Sequence, residues 1–209
     1  AVNAMCAARG LYHFSDEAYE YFTFDGARHF SPASIPGAER HTITFQSFSK
    51  GWGMASWRCG HVVYPADLAE AMNKVQDTNL ICAPVISQLL ALESMRLGRG
   101  AIESELQSLA SVRRQVHAAL ASLDGLASFP RTEGAFYVLI KLPGVSDPLG
   151  FTRAMVERHR VAAIPGFAFG LSDTQTANYQ RLSFGSLDAA TVAEGVQRFI
   201  AAVRDWYGR

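Results

Sequence analysis

The chain has 209 residues, 49% of them hydrophobic, with Lys+Arg and Asp+Glu balanced at 19 each. That length and apolar content allow one large or two small buried cores. Zero formal net charge without a basic run argues against a broad nucleic-acid or membrane surface, and no apolar run approaches the length of a membrane-spanning helix. Residues 10–14 (GLYHF) are aromatic and apolar and end at Ser15-Asp16, which predicts a short buried strand. Residues 42–47 (TITFQS) alternate Ile43 and Phe45 with polar neighbours, the period of a strand. A third strand is predicted over residues 59–65, closed by Pro65. Helical spacing follows at Leu68, Met72 and Val75, and again from Pro84 to Leu97 with Gly98 as the stop.

The clearest helix lies between Gly100 and Asp124, with Ile102, Leu106, Leu109, Val116, Leu120 and Leu123 in one apolar stripe. A new β-rich start follows at residues 134–143, then a helix around Phe151, Met155 and Val156. Residues 162–166 (AAIPG) and 181–185 (RLSFG) read as short strands, and a last helix carries Val192, Val196, Phe199, Ile200 and Val203 on one face. Strands and helices alternate first, and a smaller unit follows a long helix, which points to an α/β architecture with an appended α+β domain. The expected divisions are 1–98, a connecting helix 99–125, and 126–209. The three early strands are too few for a free-standing parallel sheet, so an exposed apolar sheet edge is expected.

Cys6, Cys59 and Cys82 are odd in number and far apart, and the six histidines show no ligand spacing, so neither a disulfide framework nor a metal site is expected. This cysteine usage fits a reducing cytoplasm. The chemistry concentrates in residues 47–60, SFSKGWGMASWRCG. Lys50 follows a predicted strand among small and aromatic residues, a position that opens into a cleft in α/β sheets. A lysine nucleophile needs burial and nearby positive charge, which Arg58 offers. Arg58 equally suits a bidentate phosphate grip, with the Ser47 hydroxyl beside it. A Schiff-base lysine next to a phosphate grip suggests pyridoxal phosphate.

The S-x-S-K at residues 47–50, with R-C-G at 58–60, resembles the active-site signature of the class I/II aminotransferases, the aspartate aminotransferase superfamily of fold type I. SDEAYE (15–20) is similar to that family's D-E-x-Y segment, and RLSFG (181–185) to its C-terminal R-x-S-F strand. EGAFYV (133–138) and IPGFAFG (164–170) resemble two further landmarks, in the family's order. The resemblance implies the fold of the pyridoxal-phosphate transferases, with an incomplete large-domain sheet and a C-terminal small domain. Lys50 would attach to pyridoxal 5'-phosphate and move the substrate proton. Asp16 would pair with the ring nitrogen in a buried site, and Tyr19 would donate to the phenolic oxygen. Ser47, Ser49 and Arg58 would hold the phosphate, and Arg181 would take the substrate α-carboxylate. Phe167, Phe169 and Tyr137 lean towards an apolar or aromatic side chain.

The same resemblance implies transfer of an amino group from an amino acid to a 2-oxo acid, in a cytoplasmic homodimer acting in amino acid metabolism and biosynthesis. A parent protein would carry upstream elements, among them the rest of the phosphate cup, which this chain lacks. Two other readings share the same residues: a fold-type-I lyase or synthase such as a C–S lyase, and the effector-sensing domain of a transcription regulator.

Overall fold

The computed structural model describes residues 1–170, 179–185 and 188–208. They form two compact units, Ala1–Glu103 and Ser104–Arg209. The first begins with helix α1 (Val2–Ala8) and continues into strands β1 (His13–Asp16), β2 (Thr42–Ser47) and β3 (Gly60–Val63), one sheet in that order. β1 runs parallel to β2, whereas β3 runs antiparallel to it, so the sheet is mixed.

The 42–47 strand lies where its alternation places it. The first strand starts three residues later than expected, and the expectation of burial fails: Leu11, Tyr12 and Phe14 are exposed. Phe14 instead stacks on Phe45 of the neighbouring strand, with ring centroids 5.9 Å apart. Thr42, Ile43 and Thr44 are all buried, against the expected alternation. Thr42 tolerates burial because its Oγ1 accepts from Asn3 Nδ2 at 2.8 Å, satisfying a polar group taken out of water. Asn3 also meets His13 Nδ1 and His41 Nε2, each at 3.1 Å, so one buried amide ties α1 to both strands.

Parallel neighbours need a long crossover, usually helical. Here residues 17–41 hold only two 3-10 turns, Pro32–Ser34 and Ala38–Arg40. Glu17 fastens them. Its buried carboxylate accepts from Ser15 Oγ at 3.0 Å and Ser31 Oγ at 2.8 Å, and it pairs with His29 Nε2 at 2.8 Å. Burial pushes the nearby Glu20 carboxyl upward from its usual range, reinforced by Glu17 and opposed by His29 and His61.

Three helices complete this unit: α2 (Phe48–Gly51), α3 (Ala69–Asn79) and α4 (Val85–Leu97). α4 runs between Pro84 and Gly98 as expected. Of the helically spaced Leu68, Met72 and Val75, Leu68 lies in a separate 3-10 turn, and α3 has no buried residue. α4 buries only Ser87 and Ala91 and leaves Val85, Ile86, Leu89, Leu92 and Met95 exposed. Apolar exposure is therefore wider than a sheet edge. It includes Phe14 on β1, Val63 on β3 and these helix faces.

In the second unit, α5 (Glu103–Leu120) carries the expected stripe. It is followed by β4 (Tyr137–Lys141), α6 (Pro148–His159), β5 (Ile164–Pro165), β6 (Tyr179–Ser183) and α7 (Ala189–Trp206). The strands pair antiparallel in the order β4-β6-β5. β4 and β6 alternate strictly, with Val138, Ile140, Gln180 and Leu182 turned into the core. Val116, Leu120, Phe151, Met155, Phe199 and Val203 from the helices close over that face. Val156 is the exception among the expected inward residues and is exposed. The result is an α/β unit with a small mixed sheet, followed by an α+β unit.

Candidate active site

Strand pairing assembles most of the candidate residues at one end of the first sheet. Asp16 is the last residue of β1 and stands opposite Phe45, two residues before Ser47 at the end of β2. Ser47 pairs with Gly60, the first residue of β3, so Arg58 arrives two residues from that pairing. These are the carboxyl ends of two parallel strands, where α/β sheets place their ligands. Tyr19 sits in the turn after β1, half-buried and edge-on to Phe22 at 6.2 Å.

The turn holding Lys50 has a local cause at each position. Ser47 caps α2, its Oγ accepting from the Ser49 backbone N–H at 3.1 Å, which leaves the hydroxyl proton for another acceptor. Phe48 is buried with Met54 and Ala91, under Trp52, Cys59 and Leu90, and anchors the turn from beneath. Gly51 is required by close approach: a Cβ there would lie 2.5 Å from the Tyr21 ring, which also meets Trp52 edge-on at 5.9 Å. Trp57, by contrast, is exposed. Arg58 adopts a left-handed backbone, φ 52°, unusual for a side chain of its size, and its Nη1 donates to the Ala55 carbonyl at 2.8 Å.

Gly60 is equally constrained, because a Cβ there would approach the Gln46 carbonyl oxygen to 2.6 Å. Gly60→Ala is expected to cost about 1–3 kcal/mol, as an overpacked site does. The measurement is the urea unfolding midpoint, and an unchanged midpoint would show that the β2–β3 pairing yields freely.

The chain has three lysines. Lys74 pairs with Glu70 at 2.6 Å, and Lys141 lies over the Tyr179 ring at 5.8 Å. Among the described residues the Lys50 amine alone has neither partner, and it is exposed rather than set in a cleft. Asp16 is exposed as well, with Oδ1 accepting from the Ala18 N–H at 3.1 Å, so this chain's own atoms do not supply the expected burial. His13 faces away from Asp16 on its strand and binds Asn3. A free amine, a carboxylate, two hydroxyls and a guanidinium at one sheet end fit the donor set of a phosphorylated pyridine aldehyde.

Arg181 is built in the second unit, on the outer face of β6. Its Cζ lies 4.3 Å from the ring centroids of both Tyr137 and Phe169. Its Nε is buried and has no hydrogen-bond partner among the described residues. Sequence reasoning passed over Glu17 as part of a motif and missed its carboxylate hub. Its partners His29 and Ser31 lie 12 and 14 residues away, so no local spacing marks it. Among the described residues no cluster of His, Cys, Asp and Glu could hold a metal ion, and no helix is long and apolar enough to cross a membrane.

The chain matches the family described as aminotransferase class I and II over residues 1–199. It is 35% identical over 207 residues to the aromatic aminotransferase ISS1 of Arabidopsis thaliana, covering 94% of this chain and 50% of that protein. It is 30% identical to the arginine–pyruvate transaminase AruH of Pseudomonas aeruginosa, covering 100% of this chain and 52% of the relative. Its fold is similar to the crystal structure of an aromatic aminotransferase from Pyrococcus horikoshii OT3, with a TM-score of 0.89 at 29% identity over 99% of this chain and 54% of that one. The chain spans about half the length of the curated relatives it matches. With a family match across nearly its whole length, the chain belongs to the class I and II aminotransferases.

Proposed function

We propose that this chain is the lysine-bearing part of a pyridoxal-phosphate-dependent aminotransferase that moves an amino group from an amino acid to a 2-oxo acid in a ping-pong cycle. The observation that carries the reading is the strand register, which sets Asp16, Ser47 and Arg58 around the Lys50 turn. Residues 1–103 then belong to a larger cofactor-binding domain.

Pyridoxal phosphate, when bound, supplies a reactive aldehyde and a ring that accepts electrons from the substrate Cα. Lys50 would hold the cofactor through Nζ, and the same amine, once released, would carry the proton taken from the substrate Cα. Asp16 would hold the proton on the pyridine nitrogen by charge. Tyr19 would donate a hydrogen bond from its hydroxyl to the phenolic oxygen. Ser47 and Ser49 donate hydroxyl protons to the phosphate, and Arg58 offers it a charged fork. Arg181 takes the α-carboxylate in the same bidentate manner, which a lysine does not reproduce. Two rings at that arginine favour an aromatic or apolar amino acid, in keeping with the name of the Arabidopsis relative, an aromatic aminotransferase. A homodimer and a cytoplasmic setting accompany this reading and rest on the family resemblance alone.

The test uses the whole protein that carries this segment, supplied with phenylalanine, aspartate or alanine and 2-oxoglutarate, and separately with a cysteine conjugate. Glutamate formation is the expected result. Pyruvate released from the conjugate without an acceptor, and no glutamate, sinks transamination in favour of a lyase.

A further inference from the structure

The outer face of the second sheet carries an arrangement that transamination alone does not explain. Tyr137 and Leu139 of β4 and Arg181 of β6 turn away from the core. Arg181 stands opposite Leu139 in register and diagonal to Tyr137, close enough for an aromatic side chain to reach it. Phe169 comes from elsewhere, the last residue of the 3-10 turn Gly166–Phe169 that follows β5. Two rings from separate elements thus meet one guanidinium, each at 4.3 Å.

A ring face attracts the cation without using any of its N–H donors. No carboxylate pairs with Arg181 among the described residues, and its buried Nε has no hydrogen-bond partner. An unpaired buried donor is costly unless something else supplies the acceptor. The geometry therefore combines a cation held by ring faces with in-plane donors left over. A planar, bidentate anion such as a carboxylate completes that set.

We infer that Tyr137 and Phe169 are positioning residues that hold the Arg181 guanidinium with its edge presented to a carboxylate. The inference rests on the reading of Arg181 as the α-carboxylate site. On this reading the attraction comes from the ring face, which Tyr137→Phe retains. If the two rings were merely packing, their loss would leave anion affinity at Arg181 unchanged.

The experiment follows the Arg181 Nε–H resonance in nitrogen–proton spectra of the whole protein that carries this segment during titration with sodium propionate, against sodium chloride at equal ionic strength. It is repeated for Tyr137→Leu, Phe169→Leu and Tyr137→Phe. Phe169 is 44% exposed, so leucine there leaves the core intact. The expected result is a saturable shift specific to propionate in the wild type. Its Kd rises about 3- to 10-fold in each leucine variant and stays within about 2-fold in Tyr137→Phe. Leucine variants with the wild-type Kd overturn the positioning role and leave the Arg181 reading standing. A wild type with no saturable shift overturns the Arg181 reading, and the positioning role with it.

Discussion

Lys50→Ala is expected to remove the only borohydride-stable pyridoxyl label that peptide mapping finds on this chain. In the whole protein it is expected to slow amino transfer by about 10²–10⁴-fold from the lost proton transfer alone. The other two lysines make poor substitutes. Lys74 is tied to Glu70 and Lys141 to the Tyr179 ring, whereas Lys50 is exposed and unpartnered among the described residues. The measurement is reduction with borohydride after incubation with pyridoxal phosphate, followed by mass mapping. Label on Lys74 or Lys141 in place of Lys50, in both this chain and the whole protein, would sink the assignment. Label on Lys50 only in the whole protein would keep the assignment and show that the chain alone does not hold the cofactor.

The second large effect is on stability. Phe199 of α7 is fully buried in the cluster that includes Val138, Ile140, Phe151 and Leu182. Phe199→Ala removes a large side chain from close-packed neighbours and is expected to cost about 3–5 kcal/mol. Against a typical total of about 5–15 kcal/mol, that is enough to leave the second unit marginal. Urea unfolding followed by tryptophan fluorescence is a suitable measurement, since Trp206 meets the Phe151 ring edge-on at 5.3 Å within the same unit. A loss below about 1 kcal/mol would contradict close packing at this position.

Where the sequence reading and the structure part, the cause is the same at several positions. Periodicity identifies a helix or strand and the residues that share a face. It does not identify what covers that face. In the second unit the covering elements are present, so the stripes of α5 and α7 are buried as expected, and the β-rich run at 134–143 holds a strand whose alternate residues are buried. In the first unit the spacing of Met72 and Val75 is helical, yet α3 buries nothing. Phe14 fails for the same reason, since its stacking partner covers only one side. Polar burial is the other blind spot. Thr42 and Glu17 are inside because Asn3, Ser15, His29 and Ser31 reach them from distant positions, which no local pattern encodes. The candidate site was legible as an ordered set of motifs, and pairing gathers Asp16, Ser47 and Arg58 to one sheet end. The ring contacts of Arg181 and its bare Nε depend on side-chain placement across three elements, beyond the reach of spacing.

The mixed sheet also sets an order of assembly. β2 and β3 are joined by residues 48–59, whereas β1 and β2 are separated by residues 17–41 without an α-helix to shorten the search. Closing the longer loop costs more chain entropy, and non-local parallel pairing is the slower step. The Ser47–Gly60 pairing, with the Lys50 turn between its strands, is therefore expected to form early as a local unit. Asp16 and Tyr19 are expected to join later, when Glu17 meets Ser31 and His29 and β1 docks. On this expectation the residues read as gripping the phosphate are in place before those read as facing the ring.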